Sequence, residues 1–202
     1  MKFSRIIKDY SYLLQVRGLS EQLNLGADGK PHKLVLASAI QKRHGVSSLV
    51  ENLAVSLAAN PDCKVLVVTC CESDAGNGFL QLTEHTAISE IIENPVLQNV
   101  YAVKCLDSGT LSRWSILQKN LSEILQEFNH VLIDAPPLSN EPEMLRIVPD
   151  VDYMLLVLKA HAVKWQVLRK TRQLIEQVGQ KNIGIVLNRR KFFIPEKLYK
   201  LI

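Results

Sequence analysis

The chain has 202 residues, 47% of them hydrophobic and 22% charged, with a formal net charge of +4. That length suits one ordinary α/β domain with a sizeable core, and the mild charge selects no partner by itself. No stretch reaches the ~18 consecutive apolar residues of a membrane-spanning helix, and no long apolar run follows Met1-Lys2-Phe3-Ser4-Arg5 as in a secretory leader.

Taken in chain order, residues 3–25 carry Ile6, Ile7, Tyr10, Leu13, Leu14 and Leu19 at helical spacing. Gly26-Ala27-Asp28-Gly29-Lys30-Pro31 breaks that pattern. Residues 1–30 are therefore expected to form an N-terminal helical extension, and residues 31–202 the main domain. From there short apolar runs at 33–38, 64–69, 100–104, 130–133, 153–158 and 183–187 alternate with helical patterns at 47–59, 87–93, 112–128, 164–178 and 195–201. Strands alternating with helices predict βαβ units. Nearly all-apolar strands predict a sheet covered on both faces. The expected fold is α/β, a doubly wound, mostly parallel sheet with helices on both faces. Ligands of such sheets bind in the loops beyond the carboxyl ends of the strands.

The first of those loops has the layout of a phosphate cradle. After Leu34–Ala39 come Ile40-Gln41-Lys42-Arg43-His44-Gly45-Val46-Ser47-Ser48, and then Asn52-Leu53-Ala54. Such a loop needs glycines that let backbone N–H groups approach phosphate, a lysine for the outer phosphates and a Ser/Thr hydroxyl for Mg²⁺. Gly45, Ser47 and Ser48 are present, but Val46 stands where the lysine belongs. Ser47 and Ser48 read either as phosphate contacts or as simple caps of the helix that follows, the second being favoured.

Four cysteines, Cys63, Cys70, Cys71 and Cys105, have no C-x-x-C spacing, which argues against zinc. A reduced, cytoplasmic protein is expected. His32, His44, His85, His130 and His161 are scattered, with no nucleophile in a recognisable elbow. Lysines and arginines are dispersed without a base-stacking motif, so no nucleic-acid partner is expected.

Three further stretches extend the pattern of the first loop. Val65-Leu66-Val67-Val68 leads into Thr69-Cys70-Cys71; Phe128-Asn129-His130-Val131-Leu132-Ile133-Asp134-Ala135-Pro136-Pro137-Leu138 ends an apolar strand in an acid; Gly184-Ile185-Val186-Leu187-Asn188-Arg189-Arg190 precedes Phe192-Phe193-Ile194-Pro195-Glu196-Lys197-Leu198-Tyr199. Together with the loop these resemble the cytoplasmic domain of bacterial tyrosine kinases of capsular and exopolysaccharide synthesis, relatives of the MinD/ParA P-loop ATPases. The resemblance covers roughly residues 33–202 and is most specific in the Asp134 run, a Walker B strand, and in the closing segment. It implies a P-loop NTPase-like fold, with Gly45, Ser47, Ser48, Asp134 and Asn188 as the residues of a vestigial nucleotide site.

The departures from the family bear on chemistry. Val46 replaces the phosphate-binding lysine. Thr69-Cys70-Cys71 replaces an Asp-Ala-Asp triplet whose carboxylates organise Mg²⁺ and the attacking hydroxyl. Phe192-Phe193 replaces part of a tyrosine cluster that is phosphorylated in trans, leaving Tyr199. Asp134 reads equally as a Walker B carboxylate and as a cap for the Ala135-Pro136-Pro137 turn. Asn188 reads as the adenine-edge position or as a strand-terminal residue closing a turn.

The expected function is that of a catalytically degenerate kinase-like scaffold with no cofactor and no metal. Its expected partners are a chain-length co-polymerase at the inner membrane, where the chain would sit peripherally, or further copies of itself. Two alternatives stand beside it. One is an active ATP- and Mg²⁺-using kinase or ATPase in which Lys42 or Arg43 replaces the missing lysine. The other is a MinD/ParA-like positioning protein that touches an anionic membrane through residues 189–199.

Overall fold

The computed structural model describes residues 9–26, 29–70, 80–83, 86–93, 95–105 and 110–188. The expectations for residues 3–8, Cys71, His85, Phe192-Phe193, Tyr199 and a helix over 195–201 lie outside the described residues.

Seven strands form one parallel sheet: β1 (Leu34–Ala39), β2 (Val65–Thr69), β3 (Leu80–Gln81), β4 (Val100–Lys104), β5 (His130–Asp134), β6 (Tyr153–Lys159) and β7 (Ile183–Asn188), in the spatial order β3-β4-β2-β5-β1-β6-β7. The six expected strands are present. β3 was not expected, because two residues carry no periodicity to read.

Alternation along each strand sends side chains to two cores. Leu34 and Leu36 of β1, Leu66 and Val68 of β2, and Val131 and Ile133 of β5 join one. Val35, Ala37, Val65, Val67 and Leu132 join the other. The helices are α1 (Tyr10–Leu25), α2 (Val46–Leu57), α3 (Ile88–Ile92), α4 (Thr110–Glu127) and α5 (Trp165–Gln177). α2, backed by α1, seals the second core through Leu49, Val50, Leu53 and Leu57. α3, α4 and α5 seal the first with Ile91, Leu117, Ile124 and Ile175. This is the doubly wound arrangement that the all-apolar strands predict.

The leading helix packs on the domain. Asp9 caps it by accepting from the Tyr12 N–H at 2.9 Å. Gly26, at φ +37°, ends it, as the sequence break implied. Val16 and Leu23 enter the second core, and Ser20 Oγ lies 3.1 Å from Ser56 Oγ of α2.

The lower end of α1 is tied by a buried histidine at the start of β5. His130 Nδ1 is 2.9 Å from the His32 carbonyl, and Nε2 is 2.8 Å from the Asn24 side-chain amide. The Asn24 atom facing Nε2 is its Oδ1, so a neutral ring donates to one of the two oxygens and only a charged ring to both. Burial pushes the His130 pKa below its ordinary 6.5, Lys33 and His32 add to the depression, and the bond to His32 opposes it. The unfolded chain therefore binds the extra proton more readily than the folded one. The stability contributed by neutral His130 is complete above about pH 6.5 and is lost as the pH falls below it. In urea unfolding, the wild type should lose stability as the pH falls below about 6.5. His130→Gln should start from a lower stability and show a shallower slope there; equal slopes would refute the assignment.

Candidate functional site

β1 and β5 are neighbours, and their carboxyl ends build the site. Asp134 ends β5 level with Ala37 of β1 on one side and Thr69 of β2 on the other. Its backbone carbonyl accepts from the Cys70 N–H at 2.9 Å. The segment after it runs back along the exit of β1: Ala135 N–H to the Ala37 carbonyl, Leu138 to Ala39 and Ser139 to Ile40, each at 2.9–3.1 Å. Ser38 Oγ donates to the Pro136 carbonyl at 2.7 Å. These bonds hold the Pro136-Pro137 turn against the first loop.

Between loop and turn lies a cleft of about 520 Å³, lined by residues 41–48 on one wall and by Asp134–Pro137, Asn140 and Glu141 on the other. Its size falls within the ordinary range of a small-molecule pocket. Gly45, Ser47, Ser48 and Asp134 are thereby brought together. Gly45 sits at φ +90°, ψ +30° as the N-cap of α2, and no side chain caps that helix. Ser47 and Ser48 therefore lie within its first turn and do not cap it, because the left-handed glycine has taken the cap position. The first N–H groups of such a helix face outward and favour an anion.

Asn188 is placed differently from the other site residues. It ends β7, and its Nδ2 donates to the His44 carbonyl at 2.9 Å, 144 residues away in sequence. A Cβ on Gly45 would collide with that same amide. The observed bond ties the loop to the sheet, whereas the sequence had suggested a turn closure or a base contact.

His44 is buried, with Nδ1 3.2 Å from the Val157 carbonyl of β6. Lys42 and Arg43 stay exposed on the cleft wall, Arg43 at φ +66°. Val46 is half-buried: it lines the cleft and also packs against the core beneath α2. Thr69 is buried beside Asp134. Cys70 faces a narrow apolar gap with Trp114, Leu117, Ile133 and Met144, the surroundings of a small core residue. His161 and Lys164 lie outside the cleft lining. Asn140 and Glu141 were not anticipated; their only sequence signal is that they follow the Pro-Pro turn.

No family model matches the chain. The chain is 23% identical over 181 residues to the tyrosine-protein kinase CpsD of Streptococcus agalactiae, covering 82% of this chain and 79% of that protein. Among solved structures, the chimerical protein CapA2B2 matches with a TM-score of 0.78 at 19% identity, over 95% of this chain and 92% of that one. The kinase domain of the Escherichia coli tyrosine kinase ETK matches at 0.69 and 16% identity, over 91% and 79%. A ParA family ATPase from Chlorobium tepidum shares the fold at 0.59 and 15% identity, over 78% and 74%. The chain is thus similar in sequence to bacterial tyrosine-protein kinases named CpsD, and it shares the fold of bacterial tyrosine kinase domains and of a ParA family ATPase.

Proposed function

We propose that this chain is a catalytically degenerate member of the bacterial tyrosine kinase family of capsular and exopolysaccharide synthesis that acts by binding instead of by phosphoryl transfer. The observation that carries the reading is Val46. Where the resembling kinases present a lysine to phosphate, this chain puts a half-buried apolar side chain on the cleft wall, packed against the core. Thr69 supports it, since a hydroxyl beside Asp134 offers Mg²⁺ little where carboxylate and water oxygens are preferred. The loop backbone suits an anion, but the side chains around it do not suit a metal–nucleotide complex. Asn188 supports it too: with its amide on the His44 carbonyl, the loop is held by the protein's own contact.

In this role the chain sits in the cytoplasm, peripheral to the inner membrane. There it engages the cytoplasmic part of a chain-length co-polymerase, or further copies of itself, in capsule or exopolysaccharide synthesis. A second reading has one observation in its favour: Lys42 and Arg43 line the same cleft as Asp134 and Glu141. On that reading the chain is an ATPase or kinase with displaced charges.

Thermal unfolding of the purified chain with Mg-ATP and with Mg-ADP separates the two. The proposal expects no change in midpoint. A Mg²⁺-dependent rise that Asp134→Ala removes would overturn it and favour the active enzyme. A second measurement concerns the loop tie. Asn188→Ala should destabilise the nucleotide-free protein by about 1 kcal/mol, the net worth of one hydrogen bond. Gly45→Ala should cost more, about 1–3 kcal/mol, because it forces a Cβ into a left-handed position and against Asn188. Urea unfolding checks both; an Asn188→Ala protein of unchanged stability would remove the structural role.

A further inference from the structure

We propose that Cys70 and Cys105 form a redox-sensitive dithiol at the carboxyl edge of the sheet, closed to a disulfide by hydrogen peroxide and reopened by a thiol reductant. This modification site goes beyond the binding role proposed above, and it does not depend on whether the cleft takes nucleotide.

Strand pairing brings the two cysteines together. β2 and β4 run parallel, with Val68 opposite Val103 and Thr69 opposite Lys104. Cys70 and Cys105 each follow the last of these residues, and the Cys105 N–H still donates to the Thr69 carbonyl at 3.0 Å, so the pairing reaches them. Paired strands lie ~4.8 Å apart, inside the Cα separation of about 4.4–6.8 Å that a disulfide spans. Both side chains leave the same face of the sheet. Leu66, Val68 and Cys70 alternate into the first core along β2 and its exit, as do Tyr101, Val103 and Cys105 along β4. Cys63, at the far end of β2, enters the other core.

The surroundings assign the order of reaction. Both cysteines are reduced. Cys70 is 8% exposed and Cys105 only 2%. Cys70 edges the apolar gap bounded by Pro136, and Pro136 also lines the cleft, so a small neutral oxidant has its nearer approach at Cys70.

The Cys70 sulfur, on losing its proton, attacks one oxygen of hydrogen peroxide. The O–O bond breaks, hydroxide leaves and takes up that proton as water, and Cys70 becomes a sulfenic acid. Cys105 Sγ then attacks the Cys70 sulfur; the S–O bond breaks, and hydroxide leaves as a second water with the Cys105 proton. Two thiols have then lost two electrons and two protons, and one peroxide has become two waters. Burial slows the first step and keeps other thiols away from the sulfenic acid, which makes the neighbouring Cys105 its resolving partner. An added dithiol reverses the reaction by exchange.

The test treats the folded full chain with hydrogen peroxide, blocks the remaining thiols and maps the product by mass spectrometry. Trypsin cuts after Lys64, Lys104 and Arg113, so Cys70 and Cys105 fall in separate peptides, 65–104 and 105–113. The expected product is a single chain that has lost two hydrogens, joins these peptides through Cys70, keeps Cys63 as a thiol and regains its starting mass in dithiothreitol. Fragmentation of the linked pair separates Cys70 from Cys71 in the wild type, so the assignment stands even where a variant fails to fold. Cys71→Ser should keep the link, and Cys70→Ser and Cys105→Ser should each abolish it. Several results would overturn the proposal: no link between the two peptides, a link through Cys71, or a link between chains. So would oxidation of Cys70 to the sulfinic acid with Cys105 untouched. None of these results bears on the nucleotide measurement.

Discussion

β1 is buried along its whole length and hydrogen-bonded to β5 on one side and β6 on the other. The loop that leaves it therefore starts from a fixed point between two strands. One wall of the cleft is that loop, and the other is the chain leaving β5, which stays bonded to the exit of β1 as far as Ser139. The cleft is a consequence of parallel pairing: strands running the same way deliver their carboxyl ends, and the loops after them, to one edge. Gly45 completes the geometry by allowing α2 to begin immediately, and the Asn188 amide holds the backbone just before it.

Given that frame, a valine at position 46 has a physical reading of its own. A lysine at the first turn of α2 must keep its ammonium solvated or paired, and so must point into the cleft. Valine has no such need and gains by joining the apolar cluster of Leu49, Val50 and Leu53. Burying such a side chain is worth about 1.5–3 kcal/mol when complete, and less for the half-buried Val46. Val46 thus favours stability at this position. Thr69 follows the same logic, since a hydroxyl next to Asp134 avoids the repulsion of two buried carboxylates.

What could be read from the sequence is what local chemistry determines. Strands such as Val65–Thr69 and His130–Asp134 were legible because burial on both faces leaves apolar residues in unbroken runs. Asp134 was legible because an acid ending such a run stands out. β3 was not, being too short for any period. Most of the polar fastenings were also out of reach. His130 meets Asn24 across 106 residues, and Asn188 meets His44 across 144. Neither partner carries a mark that distinguishes it from an ordinary surface amide or loop carbonyl. The capping expectation for Ser47 and Ser48 failed for a local reason. A serine is a good cap, but a left-handed glycine two residues before Ser47 had already started the helix.

The same contrast governs where the chain meets other molecules. At the cleft, the groups that persist are backbone: a left-handed glycine, the uncapped first turn of α2 and a carbonyl held by Asn188. Backbone geometry survives side-chain exchange because the sheet imposes it, so a cleft of this shape is weak evidence of turnover. At the opposite extreme, α5 is almost free of the core, and its composition is not fixed by packing. A helix that buries one residue could be covered with any polar side chains, and this one carries exposed arginines, a lysine and an open tryptophan. Residues that the fold does not require are informative about binding because packing does not explain them.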